Sequence, residues 1–371
     1  MSCIEKSELA VPEEAVGLLM TYRCNLDCLY CYIKKKRNRD MSIAQAKSIL
    51  EPVLMREAGP VDIIFMGGET LLAINAIRPL VEWAEQLGAK RLFRFVGSTN
   101  GTLLTESLKT WLTEHKQTII LGLSYDGTKE SQQHNRATGD RVDVDFFIKT
   151  WPLQELQMTV NEDSVNQMAT GVIELLERGA RVHPNVAYED HEWTEESLRE
   201  YARQLDLLVS YYTNHSGRFH VTAFQHKLTE YAHNLKQPSL IRQCCGAGNG
   251  FTVYDVDGTP YPCHLLSPLV LNGVKLEQIR DGALNQIGSW GDDICSACPF
   301  VSSCSTCVAS NFIYRHDFCK RDKTHCVVMQ LEVQAYMKYR ARVLQKKTAL
   351  TSEDASEVDA ITALHSFFMK Q

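Results

Sequence analysis

Residues 24–32 read Cys-Asn-Leu-Asp-Cys-Leu-Tyr-Cys-Tyr, which sets Cys24, Cys28 and Cys31 in a CxxxCxxC run. Three thiolates at that spacing can hold three irons of a cubic [4Fe–4S] cluster and leave the fourth iron open to a small ligand. The blander alternatives are a zinc knuckle or three buried thiols. Zinc normally takes a fourth protein ligand, and none follows Cys31 at close spacing.

Ahead of the run, Val-Gly-Leu-Leu-Met-Thr-Tyr at 16–22 reads as a buried strand. Behind it, 34–39 is basic, and could draw an anionic substrate or an acidic electron donor or be a solvated loop. Ser42 then N-caps a helix carried by Ile43, Ala46, Ile49 and Leu50. Further strands are expected at 61–66, 91–97, 118–124, 156–161 and 181–187, with helices at 71–87, 105–114 and 164–178. Repeated βα units imply a parallel sheet. Polar signatures gather at the strands' C-terminal ends, where such folds build sites. They are Gly67-Gly68-Glu69-Thr70, Ser98-Thr99-Asn100-Gly101-Thr102, and Ser124 with Asp126-Gly127. The glycine pair would let backbone approach a ligand closely.

The chain has 371 residues, a net charge of −6 and 13 cysteines. That charge offers no footing for nucleic acid. No apolar run is long enough to span a membrane, and residues 1–14 lack the apolar core of a signal peptide. A cytoplasmic location is the default expectation, and disulfides are unfavoured there, so metal or redox chemistry better explains the cysteines. Apart from Cys3 and the first run, they all lie at 244–326. Helices are expected at 194–215 (Thr194 capping), from 327 to 344, and at 352–369.

The CxxxCxxC run, followed by Gly67-Gly68-Glu69, resembles the radical S-adenosylmethionine (SAM) enzymes. The resemblance covers about residues 14–190 and implies an α/β partial (β/α)6 TIM-like barrel, with Cys24, Cys28 and Cys31 on the SAM cluster. It puts Tyr30 near the adenine and assigns Gly67, Gly68 and Glu69 to the SAM amino group, although Thr70 stands where the family usually has Pro. Ser98, Asn100 and Ser124 would line the SAM pocket, Asp126 would lie near the ribose or substrate among the catalytic groups, and Arg136 would pair the SAM carboxylate.

The C-terminal pattern Cys245-x12-Gly258-x4-Cys263, then Cys295-x2-Cys298-x5-Cys304-x2-Cys307, is similar to the SPASM extension, one residue short in its last spacing. That implies two auxiliary [4Fe–4S] clusters, three in all. The first would use Cys245 or Cys244, with Cys263 and Cys307. The second would use Cys295, Cys298, Cys304 and Cys319, with Cys326 the other choice for the last place. His264 occupies the position of a catalytic Asp in anaerobic sulfatase maturases, and would be a base or a hydrogen-bond partner of the cluster. Expected units are the barrel at 14–192, a bridging helical region at 193–240, the cluster domain at 241–330 and helices at 331–371.

The expected activity is generation of a 5′-deoxyadenosyl radical that abstracts hydrogen from a side chain of a ribosomal precursor peptide, giving an oxidative change or a C–C, C–S or C–O crosslink. Alternatives are formylglycine formation of the sulfatase-maturase type, a small-molecule dehydrogenase or epimerase, and a non-catalytic iron–sulfur or zinc scaffold. Partners would be a peptide or protein substrate and a flavodoxin- or ferredoxin-type reductant, with no nucleic acid or membrane. Residues 1–15 leave no room for a fused leader-binding domain, so a separate protein, or the barrel and cluster domain themselves, would read a leader.

Overall fold

The computed structural model describes residues 14–187, 189, 191–237, 245–248, 250–271 and 293–370. Six parallel strands form its wall: β1 (Glu14–Thr21), β2 (Val61–Gly67), β3 (Phe93–Thr99), β4 (Ile119–Leu123), β5 (Glu155–Val160) and β6 (Arg181–Val186). They are neighbours in chain order, β4 meeting β5 through the parallel bridge of Ser124 with Gln157. β1 is covered on both faces, with Leu18, Leu19, Met20 and Thr21 all buried, as a central parallel strand must be. β6 is an edge strand and carries Pro184, which only an edge tolerates easily. The wall is thus a partial barrel, open beyond β6.

The helices α1 (Ile43–Leu54), α2 (Ile74–Gln86), α3 (Glu106–Glu114), α4 (Lys129–Arg136), α5 (Val144–Thr150) and α6 (Met168–Glu177) connect the strands. Ser42 caps α1 by accepting from the Gln45 amide, and Ala46, Ile49 and Leu50 face inward. The sequence reading did not anticipate α4 and α5. In α4 the buried residues are Ser131, Gln132, Asn135 and Arg136, so its inward face is polar and leaves no apolar stripe to read.

α7 (Glu195–Asn214), capped by Thr194, packs on α6 and on α10 (Lys323–Gln345). α11 (Ser352–Phe368) packs on α8 (Leu228–Asn234). α9 (Val308–Arg315) follows the CxxxxxCxxC part of the cysteine region.

The cysteine-rich region is built onto the barrel sheet. Its first strand, β7 (Phe251–Tyr254), pairs in parallel with β1, and β8 (Pro260–Tyr261) returns antiparallel to β7. Gly17 is needed at this seam, since a Cβ there would stand 2.8 Å from Val253 Cγ2. Tyr22 at the end of β1 donates from its hydroxyl to Asp255. No helix among the described residues is long and apolar enough to cross a membrane.

Candidate active site

The 24–31 loop hangs from β1 and is anchored at three points. Arg23 grips Asp40 with Nε at 2.9 Å and Nη2 at 2.7 Å. Asn25 donates to Thr102 and accepts from Asn100 Nδ2 at 3.0 Å. Lys36 folds back onto Asp27 and the Leu26 carbonyl. Arg37 and Arg39 lie over the Tyr22 ring, Arg37 also donating to the Pro268 carbonyl and Arg39 pairing Asp257. This basic run is therefore largely a clamp between the cysteine loop and the 255–268 segment rather than a solvated loop. Cys24, Cys28 and Cys31 lie close enough for charge on one to act on the others. Burial, with Cys31 and Cys24 as neighbours and Arg136 opposing, pushes the Cys28 thiol up to about 11.

The glycine pair works against protein backbone. A Cβ on Gly67 would meet the Thr21 carbonyl oxygen at 2.1 Å, and one on Gly68 the Arg23 carbonyl oxygen at 2.2 Å. Gly68 and Glu69 donate their amides to those same carbonyls. The motif thus splices the end of β2 onto the root of the cysteine loop. Glu69 is buried and accepts from the Leu71 amide (3.0 Å), the Thr99 hydroxyl (2.5 Å) and the Asn100 amide (2.8 Å). A carboxylate can accept about four hydrogen bonds, so one acceptor position remains, on Oε2. Burial holds the Glu69 carboxyl above its ordinary range, though these donors oppose it.

Asp126 stands directly behind the residues that line the site, bonded to Tyr30, Arg136 and Thr159. It is 0% exposed and does not line the cavity described below. It accepts from Arg136 Nε (3.0 Å) and Nη2 (3.1 Å), the Tyr30 hydroxyl (2.6 Å), Asn135 Nδ2 (3.2 Å) and the Thr159 amide (3.1 Å). A carboxylate so saturated is an anchor for β4, β5, α4 and the cysteine loop, with no lone pair left for a reacting proton. Arg136 is correspondingly engaged, and its guanidinium lies 5.2 Å from the Tyr30 ring centroid. Asn100 spends its side chain on Asn25 and Thr102.

The C-terminal thiols fall into two groups. Cys263 is pushed up to about 12 by burial, and Cys307 and Cys245 act on it as neighbours. Cys244 lies outside the described residues. The second group is linked through Arg321, whose charge acts on Cys304, Cys295, Cys326 and Cys298. It contains Cys326, in the first turn of α10, the other candidate that the spacing offered beside Cys319. The Cys319 amide is turned onto Asp317. Burial raises the Cys304 thiol, but His325 and Arg321 outweigh it and bring it down to about 7. Among the described residues no three His, Cys, Asp or Glu side chains are closed into a metal-ligating set.

One cavity of about 640 Å³ joins these parts. Its floor is Cys24, Cys28, Cys31, Tyr30, Gly67, Gly68 and Glu69, with Ser98, Asn100, Ser124 and Arg136; its far wall includes His264 and Cys307. His264 Nδ1 stands 3.8 Å from Cys263 Sγ, and its ring is 5.7 Å from that of Tyr32. Burial pushes the imidazole down to about 4, so it is neutral near pH 7. The remaining wall was not legible in the sequence. His226 faces Glu332 at 3.7 Å, and Glu332 accepts from Tyr201 at 2.7 Å. Glu189, held in the left-handed region at φ 84°, accepts from Ser310 and twice from Arg315. These are single residues on separate elements, and no local motif marks them.

Residues 18–151 match the family model for the Radical SAM superfamily. The chain is 34% identical over 142 residues to the cysteine-type anaerobic sulfatase-maturating enzyme of Clostridium perfringens, covering 36% of this chain and 37% of that protein. It is 28% identical over 133 residues to the antilisterial bacteriocin subtilosin biosynthesis protein AlbA of Bacillus subtilis, covering 35% and 28%. The matches thus span 37% and 28% of the length of these curated relatives. Among solved structures, native anSMEcpe with bound AdoMet superposes with a TM-score of 0.63 at 17% identity, over 94% of this chain and 99% of that one. Streptococcus suis SuiB bound to precursor peptide SuiA does so at 0.59 and 16%, over 86% and 76%. The chain carries a domain of the radical SAM superfamily, and its α/β fold is shared with these proteins along most of its length.

Proposed function

We propose that this protein is a three-cluster radical SAM enzyme that oxidatively modifies, or crosslinks, a side chain of a peptide substrate. The observation that carries the reading is the single cavity lined at once by Cys24, Cys28 and Cys31 and by Cys307 of the C-terminal thiols. A substrate held there would touch both centres. The donor chemistry suits the groups proposed: three thiols in the first loop, two groups of thiols toward the C-terminus, and a buried guanidinium donating to Cys304 in the second.

Cys24, Cys28 and Cys31 would hold the first cluster. Cys245, Cys263 and Cys307 would serve the second, with Cys244 a further candidate; Cys295, Cys298, Cys304 and Cys326 would serve the third. When bound, the first cluster and SAM supply one-electron cleavage of SAM and hydrogen-atom abstraction from an unactivated C–H bond. The remaining acceptor of Glu69 suits an ammonium, and Ser98 and Ser124 line the same floor. Arg136, fixed by Asp126, presents its remaining N–H groups to a carboxylate, for which a guanidinium is well matched. The wall formed by Thr159, Asn185 and His226 would orient the substrate and keep water from it, and position decides which hydrogen is taken. A flavodoxin or ferredoxin would deliver electrons, in the cytoplasm.

A peptide substrate is favoured by the relatives: one matures sulfatases, another serves bacteriocin biosynthesis, and one structural neighbour is bound to its precursor peptide. The second reading, formylglycine formation, rests on the match to the sulfatase-maturating enzyme, with neutral His264 as proton acceptor. The test is iron content after anaerobic reconstitution, then SAM cleavage with dithionite. About 12 irons per chain, falling to about 8 when Cys24, Cys28 and Cys31 are replaced by Ala, agrees with three cubic clusters. About 4 irons in the wild type would overturn the auxiliary clusters. Formylglycine in a sulfatase-type Cys peptide would select the second reading.

A further inference from the structure

Arg321 sits between the last two cysteines and is 5% exposed. Its Nη1 donates to Cys304 Sγ at 3.0 Å. Its Nε and Nη2 are buried with no acceptor. A guanidinium is a rigid fork of five N–H donors that keeps its charge at any pH a protein survives, and burying such donors unpaired is strongly disfavoured. The groups its charge acts on most are all thiols: Cys304, Cys295, Cys326 and Cys298. A second donor converges on the same sulfur, His325 Nε2 standing 3.6 Å from Cys304 Sγ. The arrangement is a fixed, buried cation in contact with Cys304 and close enough to Cys295, Cys298 and Cys326 for its charge to act on them.

We infer that Arg321 is a positioning residue for the group held by Cys295, Cys298, Cys304 and Cys326, donating to its sulfurs and raising its reduction potential. The inference rests on the three-cluster reading above. Adding one electron to a tetrathiolate [4Fe–4S] cluster adds one negative charge. A fixed positive charge beside it, and hydrogen bonds to its sulfurs, stabilise the more negative form. The reduced state gains, and the potential rises. Such a cluster is suited to accept an electron left on a modified substrate and to pass it on. The effect does not depend on pH across the neutral range, because the guanidinium does not titrate there.

The experiment uses the full-length chain, reconstituted anaerobically, in a Cys24/Cys28/Cys31→Ala background so that only the auxiliary signals remain. Iron is counted, and the reduced signals are followed by electron paramagnetic resonance through a redox titration. Arg321→Gln removes the charge and keeps a donor; Arg321→Lys keeps the charge and loses the fork. The expected result is about 8 irons throughout. In Arg321→Gln one of the two midpoints falls by at least a tenfold change in the reduction equilibrium, which is about 59 mV for one electron. In Arg321→Lys the same midpoint falls less, and the other midpoint stays in both. Full iron with neither midpoint moved, or with both moved together, overturns the inference. Loss of about 4 irons from both variants also overturns it, leaving a purely architectural guanidinium. A background protein that binds no iron overturns the cluster reading itself, a result separate from any Arg321 phenotype.

Discussion

Replacing Asp126 by Asn separates an anchor from a catalytic base. The carboxylate accepts five hydrogen bonds, at 2.6 to 3.2 Å, and two of them come from one buried guanidinium. An Asn keeps one acceptor oxygen. If that oxygen stays on the Thr159 amide and Arg136 Nη2, the new NH2 group faces the Tyr30 hydroxyl, Asn135 Nδ2 and Arg136 Nε. The tyrosine can turn to accept; the other two cannot. Each buried donor left unpaired costs about 1–3 kcal/mol, more when charged. Breaking a buried ion pair from one side costs about 3–5 kcal/mol, so both routes lead to a loss of roughly that size. Anaerobic urea unfolding followed by tryptophan fluorescence measures it. Replacing both partners, Asp126→Leu with Arg136→Met, removes the uncompensated charge but leaves the Tyr30 hydroxyl, Asn135 Nδ2 and the Thr159 amide without their acceptor, so it should remain destabilised. A base would behave otherwise: Asp126→Asn would keep its stability and lose only turnover. An Asp126→Asn chain within about 1 kcal/mol of wild type, inactive but folded, refutes the anchor assignment.

Three further outcomes follow from the geometry. Gly68→Ala drives a Cβ to 2.2 Å from the Arg23 carbonyl oxygen, so the cysteine loop must move and, on the three-cluster proposal, the reconstituted chain should hold about 4 irons fewer than wild type; unchanged iron content would show that the splice tolerates a methyl. Cys326→Ser should abolish one auxiliary signal in paramagnetic resonance, whereas Cys319→Ser should leave that signal in place; the reverse pattern restores the assignment favoured by spacing. Asp354 is lowered from 3.8 to about 2 by the hydrogen bond of Lys347, with the Thr351 amide adding to it. Its folded pKa is depressed, so its contribution is present above pH 4 and is lost as pH falls through about 2. Asp354→Asn should therefore unfold more readily than wild type at pH 6, with the difference fading toward pH 2; a difference that persisted at pH 2 would mean the effect is not electrostatic.

Much of the barrel could be read directly from the chain. Strand and helix periods are local, so the six strands and the capped helices at Ser42 and Thr194 stood where spacing put them. α4 was not legible, because it turns Gln132, Asn135 and Arg136 inward to meet Asp126, and a polar buried face carries no hydrophobic signature. The glycine pair was recognised as a close approach, but the partner was the backbone at Thr21 and Arg23, which no spacing rule names.

The sequence by itself determined the βα alternation, the three-thiol loop and the two C-terminal thiol runs, because each depends on residues a few positions apart. Tertiary structure alone decided which groups work together. The seam of β7 on β1 joins Tyr22 to Asp255, 233 residues away, and Glu189 meets Arg315 across 126. Whether Asp126 is free or saturated, and whether Cys319 or Cys326 stands beside Arg321, depends on chain segments brought together by packing. Hydrogen-bond partners and buried charges are settled by distance in space, and sequence separation does not encode that distance.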